Sequence, residues 1–133
     1  MKEEENNISR TEKPKNFSLL KRIESFRYAI NGLKILIKEE HNARIHLFIS
    51  CSVIFAGIVF RISKIEWITV IFCIALIFSL ELINSAIENT ADIISKEKND
   101  TIKKIKDLSA AAVLIAAVTS VIVGLIIFLP KIL

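Results

Sequence analysis

Three stretches of this 133-residue chain, 45–62, 67–80 and 108–129, are apolar and nearly free of Asp, Glu, Lys and Arg, while the segments around them carry almost all of the charge. That segregation restricts the fold more than any other feature of the sequence. Lipid offers no hydrogen-bond partners, so a segment crossing it must satisfy its own backbone, and for runs of this length that means a helix. A hydrocarbon core about 30 Å thick takes about 20 helical residues. The residues are 53% hydrophobic and 24% charged, but the charges are not spread over a surface that could keep a soluble core in water. The chain is expected to be an all-α integral membrane protein of one domain, residues 16–133, with three transmembrane helices at about 45–62, 67–95 and 107–130.

The segments outside these runs have their own character. Residues 1–15, acidic and then basic and closed by Pro14, read as a disordered cytoplasmic tail without the apolar centre of a signal peptide. From about residue 17 to 40, Leu19, Leu20, Ile23, Phe26, Ile30, Leu33 and Ile37 recur every three or four positions, and basic and polar residues fill the other side. This predicts an amphipathic helix lying in the membrane interface; a soluble helix packed on a neighbour fits the same pattern. Basic residues number ten in 1–44 and five in 96–106, against Arg61 and Lys64 in the first link. The positive-inside rule then puts the N-terminus and the lysine-rich loop in the cytoplasm and the C-terminus outside. Trp67 opens the second span at an interface, and Pro130 is expected to stop the third.

The formal net charge of +4 does not point to nucleic acid. The positive charges sit beside the spans, where lipid headgroups lie, and no nucleic-acid motif accompanies them. Cys51 and Cys73 lie inside apolar runs with no metal-ligand spacing and read as small buried hydrophobes.

The second span departs from apolar composition in one direction only. Glu81, Asn84, Glu88 and Asp92 fall within an arc of about 80° at 100° per residue, with Ser85 beside them. Counted from Trp67, Glu81 lies roughly 21 Å along the helix, inside the hydrocarbon core, while Glu88 falls near its cytoplasmic edge and Asp92 beyond it. A carboxylate at that depth costs about 2.5–3.5 kcal/mol to insert and by default marks a function. Glu81 suits a general base; a protonated Glu81 bonding to another helix is the structural alternative. Glu40, before the first span, and Lys106 and Asp107, before the third, belong to the same membrane level as Glu88. Two carboxylates with a lysine there suit a divalent cation held between protein oxygens and phosphates. The chain has no GxxxxGK[ST] and three scattered glycines, so phosphate charge would have to be met by metal and basic side chains.

The string Glu81-Leu-Ile-Asn84-Ser-Ala-Ile-Glu88-Asn-Thr-Ala-Asp92, followed by Lys106-Asp107-Leu-Ser-Ala-Ala-Ala-Val113, resembles the bacterial diacylglycerol kinase and undecaprenol kinase family, small three-span membrane lipid kinases. The resemblance covers about residues 17–130. It implies a homotrimer with shared active sites in the bacterial inner membrane, where the γ-phosphate of Mg-ATP passes to a lipid hydroxyl. By position Glu81 resembles the family's catalytic base, and Glu40 and Glu88 its metal-binding glutamates. Nucleotide contacts are implied for Lys21 (with Arg22 as the other candidate), Tyr28, Glu40, Glu88, Glu97, Lys98, Asn99, Lys106 and Asp107. Asn84 and Asp92 match polar positions near the reaction centre, and His46 and Ala110 are candidate substrate contacts.

After Glu40 the chain reads His41-Asn42-Ala43-Arg44-Ile45-His46. This E-x-N-x-R-I-H pattern is similar to the undecaprenol-type members, whereas Gram-negative diacylglycerol kinases carry a second glutamate where His46 stands. Ala43 departs from the family's usual bulky aromatic. The resemblance therefore implies an undecaprenol kinase, with a diacylglycerol kinase as the alternative. A small ion- or proton-conducting protein, or an assembly subunit that uses Glu81 and Asn84 as interhelical glue, would also place a carboxylate at that depth.

Overall fold

A computed structural model describes residues 19–94 and 99–133, with side chains from Arg22 onward. It contains four helices: α1 (Leu19–Glu39), α2 (His41–Val59), α3 (Lys64–Ile94) and α4 (Asp100–Ile132). The last three are long and apolar enough to cross a membrane. The predicted tail, 1–15, lies outside the described residues. Residues up to Ile30 and from Asn31 onward cluster into two units, so the boundary falls within α1.

In the first unit α1 leaves Ile23, Phe26 and Ile30 exposed, as the amphipathic pattern requires. In the second, the residue that α1 buries is Leu36, at 1% exposure. It lies about 100° round the helix from the centre of the predicted apolar stripe, so tertiary contact and sequence periodicity select different faces. Helix α3 packs against both α2 and α4. Around that contact Phe48, Phe55 and Phe72 point outward, where hydrocarbon is their natural surrounding.

The end of the bundle away from Glu81 is fastened by local chemistry. Helix α2 stops because Arg61 takes φ 50, and its amide and that of Ile62 bond to the carbonyls of Ile58 (3.2 Å) and Gly57 (3.1 Å). This is a Schellman termination with arginine at the position usually held by glycine. Helix α3 then starts on a capping box: the Ser63 amide donates to Glu66 Oε2 at 2.6 Å, and the Glu66 amide to Ser63 Oγ at 3.3 Å. Lys131 Nζ, near the end of α4, reaches Glu66 Oε1 at 3.0 Å. Ile62, Val70 and Ile127 form a buried core here, flanked by Val53, Trp67, Ile74, Val123 and Phe128. Trp67 packs against α2 at Gly57, where an added Cβ would sit 2.9 Å from the indole Cη2. The tryptophan expected only as an interface anchor therefore also joins two helices.

Two boundaries differ from expectation. Helix α4 begins at Asp100, well before the apolar run, so Lys103, Lys104 and Lys106 are helical rather than part of a loop. Asn99 makes this possible: its side chain accepts from the amides of Thr101 (2.8 Å) and Ile102 (3.4 Å), as an N-cap does. Pro130 does not stop the helix, which continues to Ile132. Its missing N–H costs one intrahelical bond, while the chain beyond it still closes a turn, the Leu133 amide donating to the Leu129 carbonyl at 3.2 Å.

Candidate active site

The acidic stripe of α3 turns inward. Glu81 is 2% exposed, Asn84 8% and Ser85 7%, the three buried polar residues among the described ones. Each meets a group from another helix. His46 of α2 brings its Nε2 to 3.3 Å from Glu81 Oε1, yet this oxygen has no hydrogen-bond partner; the imidazole is close without being aligned to donate. Ser109 of α4 donates to Asn84 Oδ1 at 2.7 Å, and Asn84 Nδ2 donates to Glu88 Oε1 at 2.9 Å. Ser85 donates to Glu40 Oε1 at 2.8 Å.

Glu40 shows how the site overrides local preference. It occupies the N-cap position of α2 with extended backbone, but its side chain makes no capping bond. Instead the carboxylate reaches across to Ser85 on α3, while its amide closes the last turn of α1 on the Leu36 carbonyl at 2.9 Å. One residue thus ends one helix, starts the next and delivers a carboxylate to the polar stripe.

Glu40 and Glu88 are both half-buried. Each has one oxygen held by a neutral donor, and among the described residues neither has a Lys or Arg partner. Two partly dehydrated carboxylates, with Lys106 in the electrostatic reach of Glu88, suit a hard divalent ion, which takes oxygen ligands and typically one or two carboxylates. Among the described residues no three His, Cys, Asp or Glu side chains converge as a metal cage, so phosphate oxygens and water would complete such a site. Lys106 Nζ lies 2.6 Å from Oδ1 of Asp92, the exposed last member of the stripe, and links the ends of α3 and α4 there. Asp107 is exposed.

The remaining residues singled out from sequence are less gathered. Tyr28, in the first unit, is exposed, donates its hydroxyl to Glu24 at 2.9 Å and has the Arg27 guanidinium 5.6 Å from its ring centre. Ala110 is exposed and Asn99 serves as the α4 cap. Ala43 is fully buried, at 0%, so the position departs from the family's bulky aromatic without offering a lipid contact. The Lys21 side chain, Glu97 and Lys98 lie outside the described residues. Ser109 belongs to a run of small residues opening the third apolar stretch, and the serine-to-amide bond it makes has no periodic signature.

A multi-pass membrane protein with a buried carboxylate and an acidic cluster at one end of its bundle is the class that fold and site define. Comparison with known proteins narrows this. Residues 27–128 match the family of prokaryotic diacylglycerol kinases. The chain is 41% identical over 107 residues to the undecaprenol kinase of Bacillus subtilis, covering 80% of this chain and 87% of that one. It is 36% identical over 110 residues to a diacylglycerol kinase of Synechocystis, covering 82% of this chain and 63% of that one. It is 35% identical over 107 residues to the diacylglycerol kinase of Haemophilus influenzae, covering 80% and 91%. The chain belongs to this prokaryotic family of membrane lipid kinases.

Proposed function

We propose that the protein transfers the γ-phosphoryl group of Mg-ATP to the hydroxyl of undecaprenol at the cytoplasmic face of the bacterial inner membrane, as a homotrimer with its N-terminus in the cytoplasm and its C-terminus outside. Glu81 carries the proposal. A buried oxygen without a hydrogen-bond partner forfeits about 1–3 kcal/mol, and a lipid hydroxyl donating to it would supply what is missing. As that hydroxyl oxygen attacks the γ-phosphorus, its proton passes to Glu81 and the bond to the β–γ bridging oxygen breaks, releasing ADP. The His46 ring keeps the carboxylate confined on one side.

Glu40 and Glu88 would hold the magnesium, whose contribution is to neutralise phosphate charge. The Asn84 amide and the Ser85 hydroxyl orient these two carboxylates. Lys106, Asp107, Tyr28 and the segment Glu97-Lys98-Asn99, with Lys21, are assigned to the nucleotide, Asp92 to holding Lys106 in place, and His46 and Ala110 to the lipid.

Undecaprenol is favoured by the E-x-N-x-R-I-H string and the relative of that name at 41% identity. Diacylglycerol is the second reading, supported by the two relatives named for it. The test is phosphate transfer from γ-labelled ATP to a panel of prenols and diacylglycerols. Glu81→Gln is expected to cut kcat by about 10²–10⁴-fold with the KM for ATP retained. Full turnover in that variant would remove Glu81 as the base.

A further inference from the structure

Below the site, the helices leave an apolar space between them that is partly open at the bundle surface. A cavity of about 240 Å³ lies between α2, α3 and α4, walled by His46 and Val53, by Ile77 and Val70, and by Ala117 and Gly124, and almost all of its surface is apolar. On each helix these pairs are seven residues apart, so the cavity runs about 10 Å along the bundle. That volume over that length gives a cross-section of roughly 24 Å², about the width of one hydrocarbon chain whose carbons approach their neighbours at about 4 Å. At its upper end stands His46, the same side chain that lies 3.3 Å from Glu81 Oε1. Ile77 is one helical turn below Glu81 on α3. The unpartnered oxygen and the head of the cavity are therefore neighbours.

We propose that this cavity seats the hydroxyl-proximal segment of a single-chain alcohol, and that it makes the enzyme selective for prenol-type acceptors. This deepens the proposed function and rests on it. The hydroxyl of a prenol ends a single chain that bears only methyl branches, so the chain can descend between the helices while its oxygen stays at Glu81. The reacting carbon of a diacylglycerol adjoins the point from which two acyl chains leave. A slot one chain wide admits one of them and strands the other. The occupant is argued from continuity: the cavity is apolar, lies at membrane depth and starts beside the buried side-chain acceptor that, alone among the described residues, lacks a donor.

Gly124 allows a direct test, because a Cβ placed there meets nothing within 4 Å. A larger side chain fills open space rather than displacing a neighbour, and replacing a helical glycine favours the helix. Kinetics would be measured in nanodiscs with dimethylallyl alcohol, geraniol, farnesol, geranylgeraniol and undecaprenol. For the wild-type enzyme the KM is expected to fall with chain length until the cavity is filled and then to level off. Gly124→Leu should raise the KM about tenfold or more for every acceptor long enough to reach that depth, on the scale of pocket discrimination by methylene-sized groups. Dimethylallyl alcohol should be affected least, and Gly124→Ala should shift the same acceptors by less. An unchanged chain-length profile in Gly124→Leu would show that the chain lies elsewhere. A uniform loss across the series, accompanied by a change of oligomeric state, would assign the cavity to a second copy of the chain; either result overturns the proposal. Absence of transfer from the wild-type enzyme to any alcohol would instead overturn the proposed function, and this inference with it.

Discussion

Removing the hydroxyl of Ser109 is expected to loosen metal handling from a distance. Ser109 holds Asn84 Oδ1 at 2.7 Å, and this fixes which way the amide faces, so that its NH₂ points to Glu88 at 2.9 Å. Asn84 is 8% exposed, and water cannot readily replace the lost donor. In Ser109→Ala the orphaned carbonyl oxygen costs about 1–3 kcal/mol, and the amide can relieve this only by turning, which withdraws its donor from Glu88. Where that free energy appears in ion binding, the requirement for Mg²⁺ rises by about 5- to 150-fold. The measurement is initial rate against free Mg²⁺ at saturating ATP and lipid, paired with thermal unfolding in detergent. Ser109→Thr keeps the hydroxyl and should retain most of the wild-type Mg²⁺ response. A Ser109→Ala protein whose Mg²⁺ curve is unmoved, or a threonine variant as impaired as the alanine one, would refute the chain of reasoning from Ser109 through Asn84 to Glu88.

Three further outcomes concern the fastened end of the bundle. Gly57→Ala should lower the melting temperature: its methyl would lie 2.9–3.1 Å from Trp67 and Ile62, an overpacking cost of about 1–3 kcal/mol only partly offset by about 1 kcal/mol of helix propensity. Arg61→Gly should raise the melting temperature by relieving the φ 50 conformation, worth about 1–2 kcal/mol in an L-residue less the larger entropy of glycine in the unfolded chain. Ser63→Ala removes the hydroxyl that caps α3 and should cost about 1 kcal/mol, read by the same melts, with no change in the KM for ATP.

Much of this fold is written into the sequence because lipid imposes simple rules. Apolar runs of sufficient length give spans, and the 100° repeat puts Glu81, Asn84, Glu88 and Asp92 on one side of α3, which the structure buries or half-buries as far as Glu88 and leaves exposed at Asp92. What the runs cannot give is where a helix begins outside the hydrocarbon. Polarity marks the edge of the span at about residue 107, whereas Asn99 and its two accepted amides mark the edge of the helix. The Ser63-x-x-Glu66 signature was present in the link and escapes a reading based on hydropathy alone. The partners of the acidic stripe were hidden for another reason. His46, Ser85 and Ser109 acquire their meaning from which helix stands opposite, and only tertiary packing decides that. The burial of Leu36 instead of the α1 stripe has the same origin.

The clamp joining Lys131 to Glu66, one residue pair beyond the tight turn at Arg61 and Ser63, has a mechanical corollary. At the opposite end α3 and α4 are joined again, by the chain between them and by the Lys106–Asp92 pair, so of the three rods only α2 has room to swing. The bond such a swing would have to break there is Ser85–Glu40.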